Sequence, residues 1–218
     1  MLRKGKKVKL AVFDFDSTLI KGETLEYIAR EYGIEALMKK ITTEAMEGKI
    51  DFFESLIKRV ALLKGAKESK IKEICENLPH SQGAKETIAE LHKMGYRVLC
   101  FSGGYDTATI PAQKVLGYDA QFSNILHFKD GILTGQLGGE MMFSDSKGRM
   151  LKRLQELFNI TSEDTIAIGD GANDLSMFQY AQKRVAYCAK PALKEKANIV
   201  IDTPDLTEIL KYITNKPS

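Results

Sequence analysis

The sequence predicts an α/β fold in which a parallel sheet is flanked by helices on both faces and a small helical bundle is inserted after the first strand. Three observations predict it. Lys9 to Phe15 is a short apolar run with strand composition. From Thr24 to Leu78 the apolar residues recur at spacings of three and four, with no strand among them. From Ala84 onward helical patterns alternate with short apolar strands, which is the sequence form of a covered parallel sheet. With 218 residues, 44% of them hydrophobic, the chain can bury the core of one large domain or of a domain with a modest insertion.

Taken in order, Arg3, Lys4, Lys6, Lys7 and Lys9 crowd the amino end and read as a solvated start to the first strand. The insertion then offers helices over Thr24 to Tyr32, Ile34 to Glu47, Phe52 to Leu63 and Lys67 to Leu78. Asp51 and Glu54, three apart, mark the third start at Phe52. After LPHSQG come a helix over Ala84 to Met94, a strand over Arg97 to Phe101 and a helix over Asp106 to Leu116. Pro111 lies inside that last pattern, in YDTATIPAQ (Tyr105 to Gln113), and predicts a helix that starts late or kinks. Lys129-Asp130-Gly131 between two apolar runs marks a hairpin. Helices over Ser146 to Phe158, Asn173 to Ala181, Ala192 to Lys196 and Leu206 to Ile213 then alternate with strands Thr165 to Ile168, Val185 to Cys188 and Ile199 to Ile201.

Charge is mixed in sign, 32 basic against 29 acidic residues for a net +3, so no global field argues for nucleic acid or a membrane as partner. No run is long enough to span a bilayer, and Asp14 interrupts the apolar stretch that a signal peptide would need. Cys75, Cys100 and Cys188 are odd in number and widely spaced, which predicts reduced thiols in a cytoplasmic protein. His80, His92 and His127 form no ligand pattern and read as structural or surface positions.

In an open parallel sheet, ligands bind beyond the carboxyl ends of the strands. That rule selects Asp14 and Asp16, Ser102-Gly103-Gly104, and Gly169-Asp170-Gly171. If the first strand continues far enough, Asp14 and Asp16 point the same way, and their repulsion must be offset by a cation, a shared proton or water. With Asp170 and Asp174 at the same edge, magnesium suits the oxygen donors, whereas zinc would want His or Cys. Ser102 and the glycine backbone before the helix at Asp106 can face an anion. Lys147 puts a cation at a helix start, where the helix itself does not favour one. A carboxylate nucleophile, a metal and a phosphate cradle suit phosphoryl transfer through an aspartyl-phosphate on Asp14. Expelling an alkoxide needs a proton donor, and Asp16 can reach the leaving oxygen.

DFDST (Asp14 to Thr18), SGG (Ser102 to Gly104), Lys147 and GDGAND (Gly169 to Asp174) resemble the four motifs of the haloacid dehalogenase superfamily, in order and spacing along nearly the whole chain. Within it, GETLEYIA, the segment from Ile41 to Gly65, GGEMMFSDSKG and CAKPALKEKA resemble the phosphoserine phosphatase group. The resemblance implies a Rossmann-like core over residues 1–19 and 82–218 with a helical cap over 20–81. It implies hydrolysis of O-phospho-L-serine, the last step of serine biosynthesis, by a monomer or homodimer. Asp14 would be nucleophile and Asp16 acid and base, with Asp14, the Asp16 backbone carbonyl and Asp170 holding magnesium. Ser102, Gly103 and Lys147 would grip the phosphoryl group, supported by Asn173 and Asp174. Glu23 would take the substrate ammonium, Arg59 its carboxylate, and Met46 and Phe52 would close the pocket. The alternatives are a phosphatase or phosphotransferase of the same superfamily acting on another small ester, and a receiver domain phosphorylated on aspartate.

Overall fold

The computed structural model describes residues 8–46 and 48–214. Its sheet has seven strands: β1 (Lys9–Asp14), β2 (Tyr96–Tyr105), β3 (Ala120–Lys129), β4 (Ile132–Gly139), β5 (Thr165–Gly169), β6 (Lys183–Tyr187) and β7 (Ile199–Ile201). They lie in the order β4-β3-β2-β1-β5-β6-β7, and every pair is parallel except the β3–β4 hairpin. The chain therefore builds outward from β1 on one side and then on the other. That reversal leaves a crevice at the carboxyl ends beside β1, where ligands bind in such sheets.

Side chains along β1 alternate, and the two resulting layers explain why both faces need helices. Ala11 and Phe13 join the apolar layer covered by α5 (Ala84–Lys93), α6 (Asp106–Leu116) and α10 (Leu210–Thr214). Leu10 and Val12 join the layer covered by α7 (Ser146–Phe158), α8 (Leu175–Phe178) and α9 (Pro191–Lys194). The insertion supplies α1 (Thr24–Glu31), α2 (Glu35–Met46), α3 (Phe52–Ala61) and α4 (Glu68–Glu76). Its buried Leu25, Ile28, Leu56, Val60 and Ile71 belong to the first layer, together with Phe15, Tyr105 and Leu133. The inserted helices thus share the apolar core of the sheet face they cover. Asp51 caps α3 by accepting from the Glu54 N–H at 2.7 Å, the start expected at Phe52.

Several expected boundaries move. β1 ends at Asp14, one residue short of Phe15, because the Asp14 carboxylate accepts the Phe15 N–H at 2.7 Å and a wide helical turn follows, with Ser17 at φ 56°. β2 runs on through Ser102, Gly103 and Gly104 to Tyr105, with its register against β3 shifted between Phe101 and Tyr105. α6 starts at Asp106 and continues through Pro111 to Leu116 without the late start. The helix expected over Asn173 to Ala181 is a 3₁₀ turn at Ala172–Asp174 followed by the short α8. Glu47 at the expected end of α2, and Arg3, Lys4, Lys6 and Lys7, lie outside the described residues.

Candidate active site

Because β2, β1 and β5 are neighbours, Ser102, Asp14 and Asp170 arrive side by side at one edge. Lys147, from the first turn of α7, is 3% exposed and places Nζ 2.5 Å from Asp14 Oδ1 and 2.7 Å from Asp174 Oδ1. Asp174 Oδ2 accepts the N–H groups of Asp170 and Gly171, each at 3.0 Å. Those two bonds hold the loop after β5 and account for the tight turn that replaces the expected helix there. Asp174 is thus engaged through both oxygens, whereas Asp14 Oδ2 and the Asp170 carboxylate have no donor among the described residues.

The carboxylates of Asp14, Asp170 and Asp174 outnumber the cations that reach them, Lys147 and, at Asp170, Lys190, and the imbalance shows in the proton affinities of Asp14 and Asp170. Burial raises the Asp14 pKa well above the ordinary carboxylate range, Asp174 and Asp170 raise it further, and Lys147 only partly opposes them. Asp170 is pushed up to about 7 by burial, then by Asp174 and Glu23. Burial alone would lower Lys147, but Asp14 and Asp174 reverse that and hold it charged. One oxygen from each of Asp14, Asp170 and Asp174 lies within 4.8 Å of the others, a buried hard-oxygen cluster with surplus negative charge. That donor set fits a metal ion.

Strand alternation does not align Asp16 with Asp14, because β1 ends at Asp14 and a helical turn begins at Phe15. After that turn Asp16 Oδ1 accepts the Thr24 N–H at 2.7 Å and the Thr24 hydroxyl at 2.6 Å, at the start of α1. Its other oxygen faces Gly104, where an added Cβ would lie 2.9 Å from Asp16 Oδ2 and 3.0 Å from Ser102 Oγ. Burial, and next the charge of Glu23, push the Asp16 pKa up to about 7 against the Thr24 hydrogen bonds. A carboxyl group so poised can both give and take a proton near neutral pH.

Ser102 is fully buried and its Oγ accepts the Gly104 N–H at 2.9 Å, which leaves the hydroxyl proton to be aimed elsewhere. Phe52 lies over Gly103, whose added Cβ would meet the ring at 3.2 Å, so the insertion touches the cradle. Glu23 accepts from the Ser17 hydroxyl at 2.9 Å, and its charge reaches both Asp16 and Asp170. Arg59 is half-buried and bonds back to the Ser55 carbonyl at 3.4 Å. Asn173 sits over Gly171. Met46 ends α2, and its side chain lies outside the described residues.

Two further residues shape the site without having been singled out in the sequence. Thr24 fixes Asp16, and its only signal was a hydroxyl residue at a helix start. Asn124, fully buried in β3, donates to the carbonyls of Gly103 at 3.0 Å and Met141 at 3.2 Å and accepts the Met141 N–H, tying the cradle to the segment before α7. Nothing local in FSNIL distinguishes it from a solvated strand residue.

Comparison with known proteins gives concordant matches. The phosphoserine phosphatase of Wolinella succinogenes is 57% identical over 94% of this chain and 100% of its own length. That of Methanocaldococcus jannaschii is 51% identical over 95% and 99%. A solved structure described as a phospho-aspartyl intermediate analogue of phosphoserine phosphatase superposes with a TM-score of 0.89 at 51% identity, over 95% of this chain and 99% of that one. A substrate-bound phosphoserine phosphatase complex also gives 0.89, at 50% identity over the same shares. The haloacid dehalogenase-like hydrolase family matches residues 8–182, and with these relatives it establishes that the chain belongs to the haloacid dehalogenase-like hydrolases.

Proposed function

We propose that the chain hydrolyses O-phospho-L-serine to L-serine and phosphate through an aspartyl-phosphate on Asp14. The observation that carries the reading is the buried edge where Asp14, Lys147 and Ser102 meet beside the free oxygen of Asp16. The 51–57% identical relatives named for phosphoserine, matched over almost their full lengths, support the substrate. In the first step Asp14 attacks phosphorus, the bond to the serine oxygen breaks, and Asp16 gives that oxygen its proton. In the second, water attacks the aspartyl-phosphate, Asp16 takes the water proton, and Asp14 is regenerated as phosphate leaves. Lys147, the Ser102 hydroxyl and the Gly103 N–H hold the phosphoryl oxygens, with Asn173 and Asp174 supporting them. Asp14, Asp170 and the Asp16 carbonyl would hold magnesium, because Asp174 is already engaged through both oxygens. When bound, the cation supplies positive charge to the phosphoryl oxygens and relieves the carboxylate surplus.

Residues 20–81 act as a cap on a core of residues 1–19 and 82–218. The chain leaves and re-enters the core side by side, with Ser81 N–H bonded to Leu19 O at 2.9 Å and Lys21 N–H to Pro79 O at 2.8 Å. The cap brings Glu23 to the substrate ammonium, Arg59 to its carboxylate and Phe52 over the top. Arg matches a carboxylate with a bidentate fork, and a zwitterion needs one charge of each sign. Among the described residues no helix is long and apolar enough to cross a membrane. Free Cys75, Cys100 and Cys188 support a cytoplasmic location.

The test is phosphate release, with magnesium, from O-phospho-L-serine and from sugar phosphates. We expect kcat/KM to favour phosphoserine by about 10²-fold or more, the discrimination available when charged groups would be left unpaired. Equal values would refute the substrate. Asp16→Asn should slow phosphoserine by about 10²- to 10⁴-fold and p-nitrophenyl phosphate much less, since that leaving group needs no proton. A uniform loss on both would remove Asp16 as the donor.

A further inference from the structure

The hydroxyl of Tyr105 is buried and has no hydrogen-bond partner among the described residues. The residue is 1% exposed, and its ring packs in the apolar layer beneath the inserted helices. A stranded hydroxyl in such a layer is unfavourable, and a phenylalanine would fill the same space without it. Its position bears on the site. Tyr105 closes β2 directly after Ser102, Gly103 and Gly104 and opens α6. Tyr105 packs in the same buried layer as Leu56 and Val60 of α3, the helix that lays Phe52 over Gly103 and carries Arg59, and after burial Arg59 and then Asp16 bear most on its ionisation. Arg59 in turn has no acidic partner among the described residues, only the long contact to the Ser55 carbonyl. An unpartnered donor and a guanidinium without an acidic partner therefore lie on β2 and α3, the two elements that come together at the phosphate cradle.

We propose that the Tyr105 hydroxyl donates a hydrogen bond to the substrate carboxylate alongside Arg59, which makes Tyr105 a specificity-determining residue for phosphate esters that carry an α-carboxylate. The inference rests on the phosphoserine reading. It explains a polar atom that neither the core nor the phosphoryl chemistry uses. The substrate would satisfy the hydroxyl, and a phosphate ester without a carboxylate would leave it stranded.

The experiment compares O-phospho-L-serine with O-phosphoethanolamine, which keeps the ammonium and the phosphate but lacks the carboxylate, in the wild type, Tyr105→Phe, Arg59→Ala and the double variant. Tyr105→Phe should lower kcat/KM for phosphoserine by about 10-fold. It should leave phosphoethanolamine within about 2-fold, and thermal unfolding should move little or upward, because the packing is kept. In the Arg59→Ala background the Tyr105→Phe effect should shrink, since both groups act on one carboxylate. An equal loss on the two substrates would place the hydroxyl at the reacting centre or in folding and overturn the proposal. No loss on phosphoserine would overturn it as well. If the wild type does not prefer phosphoserine to sugar phosphates, the underlying reading fails by itself, before any Tyr105 variant is compared.

Discussion

Lys147, at the start of α7, is 3% exposed and held between two carboxylates, while Arg59, on α3 of the insertion, is half-buried and among the described residues bonds only to the Ser55 carbonyl at 3.4 Å. The acids repeat the contrast. Asp174 is bonded through both oxygens, to Lys147, Asp170 and Gly171, whereas Glu23 has a single hydroxyl from Ser17. At the sheet edge the charges are assembled before any ligand arrives, and negative charge is left over. In the insertion, Glu23 and Arg59 have few partners among the described residues, while the outer charges pair with one another, as Lys58 does with Glu54 and Lys72 with Glu68. A group whose partners are fixed in advance stabilises developing charge without reorganising, which suits the transfer step. A group left to be completed by the ligand discriminates among ligands, which suits selection.

This contrast breaks most visibly if the two cations are removed in turn. Lys147→Ala leaves Asp14, Asp170 and Asp174 facing one another in a buried cluster, and losing one partner of a buried ion pair typically costs about 3–5 kcal/mol. Urea unfolding of the metal-free variant should show a loss of that order, reduced when magnesium is added, with activity lost under both conditions. A stable metal-free Lys147→Ala would mean that the carboxylates neutralise one another by sharing protons, and the preassembled edge would have to be reconsidered. Arg59→Ala should behave in the opposite way. Its stability should stay within about 0.5 kcal/mol of the wild type. Its kcat/KM for phosphoserine should fall by roughly 10- to 100-fold, the value of a hydrogen bond to a charged group. If Arg59→Ala unfolds easily and still turns over phosphoserine normally, its charge belongs to the fold and not to selection.

The same division decides what was legible in the sequence. Asp14, Ser102 and Asp170 could be read because each is a polar residue at the end of an apolar run, an anomaly visible within a few residues. The strand order then does the rest, since β2, β1 and β5 must be adjacent for three such ends to meet. What could not be read depends on contacts across long sequence distances or on where a strand stops. β1 ends at Asp14 and a helical turn begins at Phe15, so Asp16 is directed to Thr24 at the start of α1, which period-two reasoning has no means to foresee. Asn124 supports Gly103 from 21 residues away, and only the pairing of β2 with β3 brings them together. The 3₁₀ turn at Ala172–Asp174 follows from side-chain acceptance by Asp174, which competes with the helical pattern the apolar spacing suggested. Pro111 misled in the other direction, because tertiary packing against β3 and the insertion can keep α6 continuous despite the missing N–H.

Two of the places where the insertion meets the rest of the chain differ in strength, and the weaker one yields the smallest effect that is still measurable. Behind the site the insertion is strapped to the β3–β4 hairpin by backbone bonds: Gly65 N–H to Leu133 O at 2.9 Å, Leu133 N–H to Ala66 O at 2.8 Å and Glu68 N–H to Gly131 O at 2.9 Å. At the site end the link is a pair of exposed rings, Phe53 of α3 stacked on Phe143 at 5.2 Å between centroids and 10° between planes, with Arg149 over Phe143 at 5.5 Å. Phe53 adjoins Phe52, which covers Gly103, so on the proposed reading the stack would hold closed the end of the insertion that meets the substrate. Opening should therefore occur there first, with the hairpin strap intact. Such a stack contributes about 0.5–1.5 kcal/mol beyond burial. Phe53→Ala and Phe143→Ala should each raise KM for phosphoserine by roughly 2- to 10-fold, and the double variant should be no worse than either single one. Thermal unfolding should scarcely change, because the rings lie outside the buried core. Strictly additive KM effects would mean that the rings contact the pocket independently and that closure is governed elsewhere, at the hairpin strap or within the apolar layer the insertion shares with the sheet.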